Sequence, residues 1–288
     1  MSESKRVKKF CLTIAKNIPI FPNNKQTRQK LLNEPLGTLL IHYANWASRY
    51  VSIRPRVVEV YCEVEDSPRG GILSGLITTF LKKVTEGEDL TTYLSLKPHT
   101  RGYSPEASGT GPNVNRWADK DFLLTVMGYH HFHLGPICGE KGLAARTNEI
   151  LFAYVSREKF EVLGVFDHSV FVSSSSSHHE MSQERSRLWA TFDAHSSRGR
   201  PSDSVVISGA ITTSGHALHL VMLAQDYSRV IRDVDPLLDD PTYVKRLYET
   251  ANEPLPNKLR LEWKLIFLDL GLWDQKLNRF FILRKGPN

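Results

Sequence analysis

The sequence predicts an α+β fold: a central antiparallel sheet flanked by helices, with a β-hairpin near the C-terminus. Three observations predict it. Apolar residues recur at helical spacing in Leu36–Tyr50 and His216–Val234. Two apolar runs, Glu149–Val155 and Phe160–Asp167, are joined by the short polar turn Ser156-Arg157-Glu158-Lys159, the pattern of a buried hairpin. A second pair of strand-like runs, Lys258–Leu268 and Arg279–Leu283, reads as a closing hairpin across Asp269–Asn278.

The elements follow in order. The first 30 residues carry Lys5, Arg6, Lys8, Lys9, Lys16, Lys25, Arg28 and Lys30 against Glu3 alone. They read as a basic arm, either steering toward an anionic partner or simply solvated. Leu39, Leu40, Tyr43, Trp46 and Ala47 form one helical stripe. Val57–Val64 alternates as a strand does, Gly70-Gly71 breaks the pattern, and Ile72–Val84 is a second helix. Pro98–Arg116, rich in Gly, Pro, Ser and Asn, reads as a long loop. Trp117–Met127 is expected to be a short helix, with Asp119 near its start and Gly128 as its stop. His130–Leu134 opens the sheet. Met181–Ala194 is helical, Val205–Ile211 extended, and Pro241–Thr250 a helix with proline in its first turn.

The Ser-rich stretch Ser173–Ser177 reads as an exposed linker. It divides a mixed α/β region, 1–175, from a helical region, 176–288, that ends in the hairpin. One integrated domain fits the sequence equally well.

The bulk composition narrows the class. The chain has 288 residues, 41% hydrophobic and 10% aromatic, with a formal charge of +6, so it can bury a core and is not a disordered polymer. Cys11, Cys62 and Cys138 are odd in number and widely spaced, which fits a reducing compartment and suggests neither a disulfide framework nor a metal ribbon. Phe10–Ala15 is too short and interrupted for a signal-peptide core, and no apolar run is long enough to cross a membrane. The expectation is a cytoplasmic protein without a membrane partner.

Candidate chemistry concentrates in Tyr129–Val170. On a strand, His131 and His133 point to the same face, the minimum for an acid/base pair or a metal pair. Asp167-His168 ends the third strand; Asp167 either orients an imidazole or caps the following turn. Between strands one and two, Lys141 and Arg146 offer cations for a phosphate or a developing negative charge. His216 and His219, three apart on an expected helix, form a secondary candidate, and Cys138 lies close enough in sequence for a Cys/His pair. His178-His179 reads as a solvated loop able to take up metal adventitiously. The phosphate-loop, Gly-x-Ser-x-Gly and His-Glu-x-x-His motifs are absent, and Gly109-Thr110-Gly111 lacks the strand-turn-helix setting of a dinucleotide site.

The order His131-Phe132-His133-Leu134, then Ile150–Val155, then Phe160–His168 resembles the central sheet of RelE/HigB-like toxin ribonucleases. The resemblance covers about 40 residues by this strand reading. It implies a curved antiparallel sheet presenting polar side chains to RNA without a metal. Carried over by position, it makes His131, His133, Arg146 and His168 the groups for proton transfer and phosphate stabilisation.

Three functional readings follow. The first is a toxin-like, metal-independent ribonuclease using His131, His133, Arg146, Asp167 and His168, with no cofactor. The second is a hydrolase dependent on a divalent metal such as zinc, held by His131, His133 and His168 with help from Asp167. The third is a non-enzymatic binding or assembly protein whose 98–116 loop meets a protein partner.

Overall fold

The computed structural model describes residues 3–61, 68–105, 119–138, 142–172, 181–201, 203–205 and 209–287. In chain order come α1 (Lys5–Asn17), α2 (Lys25–Leu32), α3 (Leu36–Ala47), β1 (Val57–Val60), α4 (Pro68–Glu86), α5 (Leu96–Thr100), α6 (Phe122–Met127) and β2 (Tyr129–His133). There follow β3 (Ile137–Cys138), β4 (Leu143–Ala144), β5 (Glu149–Val155), β6 (Lys159–Asp167), α7 (Gln183–Ser197), α8 (Leu218–Val234), α9 (Pro241–Thr250), β7 (Leu261–Ile266), β8 (Asp269–Asp274) and β9 (Arg279–Arg284). The class is α+β. Among the described residues no helix is long and apolar enough to cross a membrane.

The chain divides into two compact units. One gathers Met1–Ser48, His99–Lys120 and Thr212–Pro287; the other gathers Arg49–Pro98 and Asp121–Ile211. The serine run at 173–177, where the sequence reading set a boundary, lies outside the described residues, as do His178, His179, Cys62 and Lys141.

In the first unit the basic N-terminal stretch is not an arm. It is a helix, because Val7, Phe10, Ile14 and Ala15 recur at helical spacing and all are buried. Ser4 caps it by accepting from the Val7 amide. Arg6 donates to Asp235 at 3.1 Å and to Asp239 at 2.8 Å, so part of the basic excess is spent inside the fold. The stripes on α3 and α8 meet this helix in one core with Trp263, Leu270 and Phe281. The expected C-terminal hairpin gains a middle strand: the segment read as its connection holds β8, giving the antiparallel order β7-β8-β9. β8 was hard to read because Asp269 and Asp274 bound it. Both aspartates are buried and bonded, Asp274 accepting from Tyr248 Oη at 2.5 Å and from the Lys276 amide at 2.6 Å.

The second unit is built on a four-stranded sheet in the order β1-β6-β5-β2. β2, β5 and β6 pair antiparallel, while β1 adds at the edge in parallel. Both faces are covered, as the two-sided apolar pattern of β5 requires. Leu151, Ala153 and Val155 pack with Phe80, Phe132 and Phe160; Ile150 and Phe152 pack with Tyr129, Phe166, Leu188 and Phe192. α4 starts at Pro68, so Gly70-Gly71 does not break it but sits in its first turn, where glycine interrupts little packing. α6 is shorter than expected. It is capped by Asp121, which accepts from the Leu124 amide, and stopped by Gly128 in the left-handed conformation (φ 75°). Asp119 therefore has no part in that helix.

One irregularity decides which residues share a face. The β5–β6 register slips between Phe152 and Ala153: Phe152 pairs with Gly164 and Ala153 with Val162, leaving Leu163 as an extra residue. Before the bulge, Phe160 and Val162 point to the face shared with Phe80. After it, Phe166 points to the face shared with Phe152. The bulge inverts the alternation and delivers the end of β6 to the face that carries His131 and His133.

Candidate functional site

His131 and His133 occupy alternate positions of β2, opposite Phe152 and Ile150. Their ring centroids are 6.4 Å apart. His168 opens a 3₁₀ turn, His168–Phe171, directly after β6, and its ring stacks on His133 at 5.6 Å with 20° between planes. Two imidazoles of β2 and one of the turn after β6 thus line one face. His131 lies 3.7 Å from the Asp121 carboxylate. Phe171, 42% exposed, stands beside them, 5.2 Å from His131 and 6.1 Å from His168.

The remaining sequence candidates take different places. Asp167 caps the 3₁₀ turn, accepting from the Ser169 amide at 2.8 Å and the Ser169 hydroxyl at 2.5 Å. Its role in the geometry is to hold the turn that presents His168 and Phe171. Arg146 is exposed and follows the β3–β4 arm. That arm is pinned where Ala145 donates to the Pro136 carbonyl at 2.8 Å. Gly135 admits the close approach, since a Cβ there would stand 2.3 Å from the Ala145 carbonyl oxygen. His216 precedes α8 instead of lying on it, so it and His219 do not share a helix face. The Cys138 side chain lies outside what is described.

The protonation states follow from burial. Desolvation first, then the positive charge of His131, His168 and Arg146, pushes the His133 ionisation down to about 4. His131 is lowered too, by burial above all, with Asp121 opposing. His168 Nδ1 lies 2.9 Å from the Asn148 carbonyl oxygen. A carbonyl only accepts, so Nδ1 carries the proton and Nε2 is the nitrogen left for other chemistry. Burial thus favours the neutral form of His131 and His133 at neutral pH.

A pH dependence follows. An unfolded imidazole titrates near 6.5, so below that value the unfolded chain takes up protons that His133 and His131 refuse in the fold. The contribution of His133 to stability is complete above about pH 6.5 and is lost as pH falls toward 4, and that of His131 is lost in the same direction. The urea midpoint is expected to fall between about pH 7 and 5, and less steeply in His133→Gln. Parallel slopes for the two proteins would refute the assignment to His133.

Two further clusters escaped the sequence reading. In the second unit, His195 bridges Tyr129 Oη (3.1 Å) and Glu161 (3.2 Å). Tyr129 is fully buried, so this relay braces β2, β6 and α7. In the first unit, one ligand atom each from His42, Asp119 and His216 lies within 4.8 Å of the others. Among the described residues, His131, His133 and His168 do not form such a group; their rings stack and spread instead. His42 sits inside the apolar stripe of α3, which hid it, and Asp119 was read as a helix start.

No family model matches the chain, and no curated protein and no solved structure matches it.

Proposed function

We propose that the His131–His133–His168 face is a metal-independent phosphodiester-cleaving site acting on RNA. The observation that carries this reading is the stacked His133–His168 pair on a face that also holds His131 and the half-exposed Phe171. Two positioned imidazoles supply the base and the acid that cleavage by an internal 2′-hydroxyl needs.

His133, held neutral, takes the 2′-hydroxyl proton. The 2′-oxygen bonds to phosphorus as the bond to the 5′-oxygen breaks. His168, oriented by Asn148 and protonated on Nε2, gives its proton to that leaving oxygen. Arg146 stabilises the charge on the non-bridging oxygens. The low basicity of His133 belongs to the free site, where burial above all and then neighbouring positive charge lower it; an incoming phosphate offsets the charge and raises it. Phe171 offers a face on which a base can stack.

The test is cleavage of an RNA oligonucleotide and its all-deoxy counterpart by untagged protein in excess chelator. The expected result is RNA cleavage leaving a 2′,3′-cyclic phosphate, with the DNA intact. Arg146→Ala, at an exposed position, is expected to reduce the rate by about 10²-fold with an unchanged thermal midpoint. Absence of RNA cleavage, or equal cleavage of DNA, sinks the reading.

A further inference from the structure

We propose that His42, Asp119 and His216 in the first unit bind one divalent transition-metal ion of the zinc class. The residues come from three separated stretches: the middle of α3, the residue before Lys120, and the turn preceding α8. Asp119 is 0% exposed and His216 4%. Two imidazoles and a carboxylate are the donor set such ions take, and three protein ligands leave a position open for a further ligand. Ligand atoms about 2.0–2.2 Å from one ion stand roughly 3.3 Å apart. A spread within 4.8 Å closes to that by small side-chain rotations.

The second observation is what the imidazoles lack. His42 Nδ1 and His216 Nε2 are buried with no hydrogen-bond partner. Leaving a buried polar atom unpaired costs about 1–3 kcal/mol, and a bound ion removes that cost at a ligating nitrogen. The arrangement around them is that of a held ligand. His216 Nδ1 is 2.9 Å from Ser214 Oγ, which is itself 3.0 Å from Thr212 Oγ1. A proton on Nδ1 leaves the Nε2 lone pair bare, the usual outer-sphere control of a metal-binding histidine. His42 is fixed edge-on to Tyr103 at 4.7 Å and to His216 at 5.3 Å.

Asp119 is the shared anchor. Its Oδ1 accepts from Lys120 Nζ at 2.7 Å and its Oδ2 from the Ser104 amide at 3.2 Å. The Lys120 ammonium, itself buried, opposes a dication, so it sets the affinity below what the donors alone give. This makes a prediction with a sign: removing the ammonium tightens metal binding.

The experiment uses untagged, metal-stripped full-length protein titrated with Zn²⁺ by equilibrium dialysis and with Co²⁺ by visible absorption. One ion per chain is expected, with Co²⁺ bands of nitrogen and oxygen ligation and a raised thermal midpoint. His42→Gln, His216→Gln and Asp119→Asn are each expected to weaken binding at least about 10-fold. Lys120→Met is expected to strengthen it. The His178→Ala/His179→Ala and His133→Ala variants are expected to keep the ion. The proposal is overturned if the wild type takes up no saturating ion. It is also overturned if the folded His42 and His216 variants bind as the wild type does, or if removing His178 and His179 abolishes binding. If the His42 and His216 variants do not fold, the wild-type Co²⁺ spectrum together with its survival or loss in the His178/His179 variant decides. RNA cleavage in chelator is read separately, so either result leaves the other standing.

Discussion

Replacing either member of the stacked imidazole pair is expected to lower RNA cleavage by about 10²–10⁴-fold, the usual worth of a positioned general acid or base. The pair is the place to look because there an imidazole of β2 and one of the turn after β6 stack ring on ring, at 5.6 Å with 20° between planes. His133→Ala removes the group proposed as base, and His168→Ala the group proposed as acid. The double variant is expected to lose little more than the worse single one, since groups acting in one proton-transfer sequence are strongly non-additive. The pH profiles should differ as well. His133→Ala should remove the rising acidic limb of kcat/KM, which reports the free enzyme and so falls near pH 4, whereas His168→Ala should leave that limb in place. Full activity in either folded single variant would end the catalytic reading. Activity that falls only in proportion to lost stability would favour the third reading, a binding or assembly protein whose histidines are structural.

The second large effect is on stability. Phe152→Ala is expected to cost about 3–5 kcal/mol, the range for emptying a buried aromatic site. Phe152 is fully buried, packs on Phe166 at 5.2 Å, and underlies His131 at 5.8 Å and Phe171 at 6.3 Å. A loss of that size is a large share of the roughly 5–15 kcal/mol that holds a domain together. Calorimetry should show an earlier transition for the second unit, with Phe171→Ala as the contrast. Phe171 is 42% exposed, so its removal should change the melting little. It should instead weaken binding of a short RNA by about 1–3 kcal/mol, the worth of one stacked base. A Phe152→Ala protein that melts with the wild type would show that the site's floor is not built as described.

The two-sided apolar run of β5, the helical stripes of α3 and α8 and the first-turn proline of α9 were legible because each depends only on local pattern. A run such as Ile150-Leu151-Phe152-Ala153 can be satisfied only by cover on both faces, and both faces are covered. The same local logic picked out His131 and His133, two residues apart on one strand. It failed where charge masks an apolar stripe, as in α1, and where buried aspartates bound a strand, as in β8. In both cases tertiary partners satisfy the charged groups: Asp235 and Asp239 for Arg6, Tyr248 for Asp274.

The site itself divides along the same line. The sequence by itself determined that 129–170 is a histidine-bearing sheet; that Asp167 caps the turn after it, one of the two roles the sequence left open, was decided by the structure. That His168 comes back to the face of His131 and His133 was decided by the bulge at Leu163, which inverts the side-chain alternation of β6 and has no signature in a period-two reading. The grouping of His42, Asp119 and His216 was likewise decided only by the tertiary structure. These residues are separated in sequence by 77 and 97 positions (119 − 42 and 216 − 119). No local pattern connects them; they meet because separate stretches of chain fold into one unit.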